Sequence, residues 1–221
     1  SLDLKKSTID GVTSLVADLT NDLDPSYFDG VDIIIHLAGR PIFGKWDEAY
    51  KKSIYDSRIV GTRNIFKAVS KLDKKPEKIL AASAIGFYGD QGERILTESG
   101  EKGSGFLSDV VADWENEVQK FKELGMKAIS FRHGHVLGAG GLLGVLKPYY
   151  QWGIGGPIGK GEYYISWISL NDLMNIYLNA ISADIQSGVY NAVNSEPMMY
   201  KEFSKKFAKK LSRPHLFRIP K

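Results

Sequence analysis

Short apolar runs alternate along this chain with longer segments whose apolar residues recur every three or four positions. Residues 12–17 read as a short β-rich run, followed by a turn rich in Asp, Asn and Pro. Residues 31–37 form a nearly unbroken apolar run that ends at Ala38-Gly39, the pattern of a strand buried on both faces of a parallel sheet. Trp46, Tyr50, Ile54, Ile65, Phe66, Val69 and Leu72 keep helical spacing. Residues 78–83 are a third strand. Phe106, Val110, Val111, Trp114, Val118, Phe121 and Leu124 mark a second amphipathic helix, with Gly125 placed to end it. Residues 126–132 are a fourth strand. Repeated strand–helix–strand units of this length predict an α/β fold with a parallel sheet and right-handed crossovers.

After residue 138 the texture changes. Nine glycines fall within 138–161 and read as a mobile loop over a cleft; an aromatic strand-like run follows at 163–168, then a helix around 172–181. A last amphipathic helix covers 200–211, with Phe203, Phe207 and Leu211 on one face and lysines elsewhere. The lysines read as a solvated face, against the alternative of a membrane or acidic partner.

Composition narrows the function classes. With 43% hydrophobic and 25% charged residues the 221-residue chain is a folded protein. A net charge of +3 is too balanced to imply a nucleic-acid partner. No apolar run reaches the roughly 18 residues a bilayer span needs, so no membrane partner is expected. The absence of cysteine excludes a disulfide scaffold, a thiolate metal site and a cysteine nucleophile, and fits a reducing, cytoplasmic setting. The opening Ser1-Leu2-Asp3-Leu4-Lys5-Lys6 is neither an initiator methionine nor a signal peptide, and reads as a chain entered partway through.

In open α/β sheets ligands sit at the carboxyl ends of strands, so the residues there are the candidates. Gly39 either admits a ligand to the backbone or makes a tight turn, and Asp18 either accepts a hydrogen bond from an adenine amino group or opens a turn. Two stretches have the bare GxxGxxG spacing, Gly138-Gly141-Gly144 and Gly153-Gly156-Gly159. Six residues separate the first from the apolar strand, and the second holds Pro157 and follows no strand, so neither is expected to cradle phosphates. Among the histidines, His36 reads as core, His133 and His135 flank Gly134 at a strand end, and His215 reads as structural. No HxxxH, acidic metal cluster or GxSxG elbow is present, so no metal site is expected.

Several segments in order resemble the extended short-chain dehydrogenases/reductases of the NAD(P)-dependent epimerase/dehydratase superfamily. They are His36-Leu37-Ala38-Gly39, Arg58-Ile59-Val60-Gly61-Thr62-Arg63-Asn64, Arg132-His133-Gly134-His135-Val136-Leu137-Gly138, Trp167-Ile168-Ser169-Leu170-Asn171-Asp172-Leu173 and Gly188-Val189-Tyr190-Asn191. Within it the chain resembles the atypical "epimerase family protein" group. That group's phrases are Ala38-Gly39-Arg40-Pro41-Ile42, Ser83-Ala84-Ile85-Gly86-Phe87-Tyr88-Gly89-Asp90, Asp113-Trp114-Glu115 and Gly155-Gly156-Pro157-Ile158-Gly159.

The resemblance implies a Rossmann-type doubly wound parallel sheet over 1–145, N-terminally truncated, and a small C-terminal substrate lobe over 146–221 interwoven with it. It implies an NAD(P)-dependent oxidoreductase or epimerase-like enzyme acting on a small molecule, a sugar nucleotide by analogy, with NADP favoured over NAD. Asp18 and Leu19 would meet adenine. Leu37, Ala38 and Gly39 would line the pyrophosphate–ribose path, with Arg58 supporting that loop. Gly134, His135 and Val136 would sit beside the nicotinamide, and Ser83 there would polarise a carbonyl, although a one-residue shift gives that position to Ala84. Arg40, Tyr88 and Trp167 would face substrate. The helices at 46–72 and 106–124 form the usual homodimer bundle in the superfamily.

Two departures stand out. The Gly-rich strand–helix that binds pyrophosphate should precede residue 1, so this chain alone is expected to hold no cofactor tightly. The superfamily's tyrosine with lysine four residues later, its tuned proton donor, has no counterpart here. Without such an acid the protonation step loses about 10²–10⁴-fold. The alternative reading is a non-catalytic NAD(P)-binding sensor or interaction module.

Overall fold

The computed structural model describes residues 1–215 and 218–219. The elements run β1 (Leu2–Asp3), β2 (Leu15–Val16), β3 (Ile33–His36), α1 (Glu48–Ser70), β4 (Lys78–Ala84), α2 (Phe106–Gln119), β5 (Lys127–His133) and β6 (His135–Leu137). They continue with α3 (Gly141–Gln151), β7 (Tyr164–Ile165), β8 (Trp167–Ser169), α4 (Leu170–Ser182), β9 (Gly188–Ala192), β10 (Met198–Met199) and α5 (Tyr200–Lys210). The main sheet is four-stranded and wholly parallel, in the order β3-β4-β5-β9.

Strand residues alternate between two faces, and each face meets a different helix layer. Ile34, Ile79, Ala81 and Ala128 belong to one core, with Ile54, Ile65 and Val69 of α1 and Val110, Trp114 and Val118 of α2. Leu80, Ile129 and Phe131 point the other way and pack on Leu173, Tyr177 and Ala180 of α4. Helices on both faces of a parallel sheet make this a doubly wound Rossmann-type α/β fold. Asp47 caps α1 through a bond from Tyr50 N, and Ser169 caps α4 through Asp172 N. At the far end of α4, the buried Lys78 donates Nζ to the carbonyls of Ala180, Ile181 and Ala183. Those carbonyls lack helical partners, and a cation there also suits the negative end of the helix dipole.

The outer edge of β9 is blunted by the 96–98 segment, where Glu98 Oε1 accepts from Asn191 N at 2.8 Å. The opposite edge is different. β1 and β2 form a separate two-stranded parallel sheet that joins neither side of β3, although both β2 and β3 lead into residues packed on α1. Asn64 of α1 holds the far piece, donating Nδ2 to the carbonyls of Leu19 and Asn21 at 2.9 Å each.

Three sequence expectations need correction. The glycine-rich stretch is not a continuous loop, because 141–151 form α3. The predicted domain boundary at 145 therefore falls inside a helix. The aromatic run at 163–168 is two strands in two sheets: β7 pairs antiparallel with β10, and β8 pairs parallel with β6. The second predicted helix ends as α at Gln119 and continues as a 3-10 turn over Lys120–Leu124 to Gly125, whose φ of 77° only glycine adopts without strain.

Candidate functional site

The carboxyl tips of β3, β4 and β5 form one edge, carrying Leu37–Gly39, Ala84–Gly86 and His133–His135 in register order. Leu37 is exposed at the first tip. The loop after it is fixed from below. Arg58 Nη1 donates to the carbonyls of Arg40 at 2.9 Å and Ile54 at 3.2 Å, and its guanidinium lies 5.2 Å from the Trp114 ring. A Cβ on Gly39 would come within 3.0–3.3 Å of that guanidinium, so any larger residue would have to push Arg58 aside. Ser57 Oγ accepts from Arg40 N at 2.9 Å, while the Arg40 side chain lies over the Tyr50 ring. Burial lowers the Arg58 pKa without threatening its charge.

Beneath the β3 tip, Thr62 Oγ1 gathers three groups: His36 Nε2 at 2.9 Å, Trp114 Nε1 at 3.1 Å and the Arg58 carbonyl at 2.5 Å. Its single hydroxyl proton goes to the carbonyl, so both ring nitrogens donate to it and His36 carries its proton on Nε2. Burial, and then the charge of Arg58, holds the His36 pKa down to about 4.

The β4 tip departs from expectation. Ser83, taken as the group that would polarise a carbonyl, is buried and donates to Glu115 Oε1 at 2.5 Å. Strand alternation aims it at α2, and Ala84 occupies the edge position. Glu115 also receives a bidentate bond from Arg132, Nε to Oε1 at 2.8 Å and Nη2 to Oε2 at 2.7 Å. Tyr88, assigned above to substrate, is likewise buried: its hydroxyl accepts from Arg132 Nη1 at 2.8 Å and donates to Asn191 Oδ1 at 2.7 Å. Arg132 stacks on the Phe87 ring, 3.5 Å from its centroid. The result is a closed hydrogen-bonded network that holds the tips of β4, β5 and β9 together.

At the β5 tip, Gly134 is needed for packing, since a Cβ there would lie 2.8 Å from the Ser166 carbonyl. His135 N donates to that same carbonyl at 2.8 Å, and His135 pairs with Trp167 across β6 and β8. Val136 follows in β6, pairs with Ile168 of β8 and packs on the α4-side core. Trp167 donates Nε1 to the Glu196 carbonyl at 3.1 Å. His133 turns toward α4, with Nε2 2.9 Å from the Tyr177 hydroxyl. Desolvation lowers His133 to about 4 and also lowers His135, which keeps one solvent-exposed side.

Asp18 opens a turn, its Oδ1 accepting from Thr20 N and Oγ1, and Leu19 packs on Gly61 of α1. Both follow β2, which is not hydrogen-bonded to β3. The Gly138 stretch follows β6 directly, not the long strand β5. Its first glycine is explained by Leu170, 3.2 Å from a built Cβ. A cavity of about 990 Å³ beside Asp90, Glu162 and Tyr163 lies in the lobe and includes no strand-tip residue. Among the described residues no group of three or more His, Cys, Asp or Glu could hold a metal ion.

The strand-tip edge carries small side chains at Ala38, Gly39, Ala84 and Gly86, the last with open space where a Cβ would stand, which leaves room for a dinucleotide to lie along it. No Gly-rich strand-to-helix turn joins the main sheet among the described residues, so a pyrophosphate cradle is not among them. Sequence reading missed Glu115, Thr62 and Asn191 as site-holding residues. For Glu115 a signal existed: an acid among the apolar positions of α2, facing an arginine set in an apolar strand.

Residues 6–192 match the model of the NAD dependent epimerase/dehydratase family. The chain is 35% identical over 191 residues to the epimerase family protein YfhF of Bacillus subtilis, covering 86% of this chain and 63% of that protein. It therefore spans just under two thirds of that relative's length. The crystal structure of the human epimerase family protein SDR39U1 (isoform 2) with NADPH superposes with a TM-score of 0.85 at 25% identity, covering 97% of this chain and 73% of that one. That of the nucleoside-diphosphate sugar epimerase from Corynebacterium glutamicum gives 0.74 at 32% identity, covering 92% and 44%.

Proposed function

We propose a function from one premise: the chain belongs to the NAD dependent epimerase/dehydratase family. The whole protein that contains these residues binds NADP or NAD at the strand-tip edge. There it acts as an oxidoreductase or epimerase-like enzyme on a small molecule, a sugar nucleotide by analogy. The observation that carries this reading is the Arg58 clamp, which holds Leu37–Gly39 open at the first tip while Gly39 leaves no side chain in the way. The NADPH in the human relative favours NADP as the cofactor. Leu37, Ala38 and Gly39 would line its path, and His135, Val136 and Trp167 would stand beside the nicotinamide and substrate.

A second reading has its own observation. Hydride transfer to a carbonyl needs an acid, and this edge offers none in the ordinary form. Ser83 is committed to Glu115, Tyr88 to Arg132, and the imidazoles at the β5 tip are held neutral at pH 7. A nicotinamide-binding sensor without turnover fits that arrangement.

The test is direct. The whole protein is titrated with NADPH and NADH by calorimetry, then NADPH absorbance is followed against a panel of carbonyl compounds and sugar nucleotides. Binding with turnover supports the enzyme, and binding without turnover across the panel supports the sensor. No binding of either nucleotide sinks both. The 221-residue chain alone is expected to bind neither at micromolar concentration, because the cradle for the pyrophosphate is not among its described residues.

A further inference from the structure

Most apolar helices of a globular protein hide one face, and α3 hides only one although it is apolar nearly all round. Its inner side chains, Leu146 and Tyr150, are buried against Phe203 and Phe207 of α5. Its outer side carries Val145, Tyr149 and, just past its end, Trp152, which are 60%, 51% and 83% exposed, followed by Ile154 at 53%. Trp152 is far more exposed than Trp46 or the buried Trp114. Val145, Tyr149, Trp152 and Ile154 are thus exposed apolar residues within ten positions of sequence, and an exposed apolar patch marks an interaction surface.

The neighbouring helix supplies the second observation. Residues 200–214 hold Lys201, Lys205, Lys206, Lys209, Lys210 and Arg213 against a single acid, Glu202, a local charge of +5. The whole chain carries only +3, so its entire positive excess sits on this one segment and the remainder is net negative by two. All five lysines are exposed, and Glu202 is already paired with Lys206. The two features adjoin: a Cβ on Gly153, between Trp152 and Ile154, would lie 3.9 Å from Pro214 at the end of the basic segment.

We propose that α3 and α5 form a docking surface for an anionic lipid bilayer, with Trp152 and Ile154 entering the headgroup–acyl boundary and the α5 cations resting on the headgroups. Tryptophan prefers that boundary, long lysine side chains reach from it to phosphate, and an anionic leaflet attracts a basic segment. Nucleic acid would use the cations but has no use for Val145 and Ile154, and a second copy of the chain would set +5 against +5. No described helix is long and apolar enough to cross a membrane, so the contact is peripheral. The lysine face is thus read as functional and not merely solvated. This surface is independent of any cofactor.

The experiment is co-sedimentation of this chain with vesicles of phosphatidylcholine alone or mixed with phosphatidylglycerol. Binding is expected only with the anionic mixture, weakening as salt rises from about 0.05 to about 0.5 M. Trp152→Ser/Ile154→Ser and, separately, Lys206→Gln/Lys209→Gln/Lys210→Gln should each lose about tenfold in affinity, with unchanged circular dichroism confirming the fold. Absence of binding to anionic vesicles at low salt overturns the proposal. So does binding by either variant as tight as that of the unsubstituted protein, a dimer in sedimentation equilibrium that Trp152→Ser dissolves, or tighter binding to single-stranded nucleic acid than to vesicles.

Discussion

The two faces of the main sheet were built by one alternation of side chains, yet they differ in completeness. On the α1–α2 face Ile34, Ile79, Ala81 and Ala128 share one core with α1 and α2, and two hubs gather buried polar groups, Thr62 under the β3 tip and Glu115 under the β4 and β5 tips. On the α4 face coverage is partial. Ile35 and Leu37 of the β3 tip are 45% and 59% exposed, and α4 leaves Leu170, Met174 and Leu178 exposed along one stripe. On the α1–α2 face most buried polar side chains find a partner, and Ser130 Oγ is the exception, buried without one. Where one layer is partial, β3 presents apolar side chains at its tip among the described residues. The tips are therefore held from the α1–α2 face, by Arg58 and Thr62 under β3 and by the Glu115 network under β4 and β5.

The largest effect should come from breaking the hub under β4 and β5. Glu115→Ala leaves Arg132 buried without its carboxylate, and cutting one side of a buried pair costs about 3–5 kcal/mol. For a chain of this size that corresponds to a fall in Tm of roughly 10 °C. Ser83→Ala removes only one bond to the same carboxylate and should cost about 1 kcal/mol. If Glu115→Ala melts like Ser83→Ala, the hub does not organise the closed face.

Next is acid. His36 and His133 are held near pKa 4 by burial, against about 6.5 for a free imidazole. The unfolded chain takes up these protons first as pH falls, so folded stability is full above about pH 6.5 and is lost progressively down to about 4. Each histidine contributes up to about 3 kcal/mol to that loss. Denaturant midpoints at pH 7 and pH 5 should show it, and His36→Asn/His133→Asn should flatten the difference. A profile unchanged by that double substitution would rule the two imidazoles out as its source.

A smaller loss is expected from Lys78→Met, which keeps the aliphatic stem but uncaps α4. Three carbonyls lose their donor, worth about 1–3 kcal/mol, and amide exchange should quicken at the C-terminal turn of α4 first.

How far the sequence displayed all this follows the same division. Three strands of the main sheet, β3, β4 and β5, and helices α1, α2, α4 and α5 were legible because burial on both faces, or on one helical stripe, writes itself into apolar spacing, whereas β9 was not read as a strand. The edge residues Leu37–Gly39 and His133–His135 were legible as strand ends. What was not legible depends on which face a side chain takes. Ser83 and Ala84 differ by one position, and only the register of β4 against β5 shows that the serine turns inward to Glu115. Tyr88 looked available for substrate because nothing local reveals that Asn191, about a hundred residues later, claims its hydroxyl. α3 escaped because its glycines, helix breakers by propensity, cluster at its start and beyond its end, where positive φ at Gly141 and Gly153 bounds the helix.

The smallest effect is the sharpest check on the comparison itself. If the α4 face is open as drawn, Met174→Ser and Leu178→Ser change little: exposed sites away from packing or caps shift stability by less than about 0.5 kcal/mol. The matched control on the closed face is Val110→Ser, which buries a hydroxyl among apolar neighbours and creates a void. It should cost several times more. Urea midpoints of the three variants decide the matter, because the m-value also reports whether surface exposed on unfolding has changed. Were Met174→Ser to cost as much as Val110→Ser, something in solution must already cover α4. The open face would then be an interface of the folded protein, and the strand tips would be less accessible to a nucleotide than the edge geometry implies.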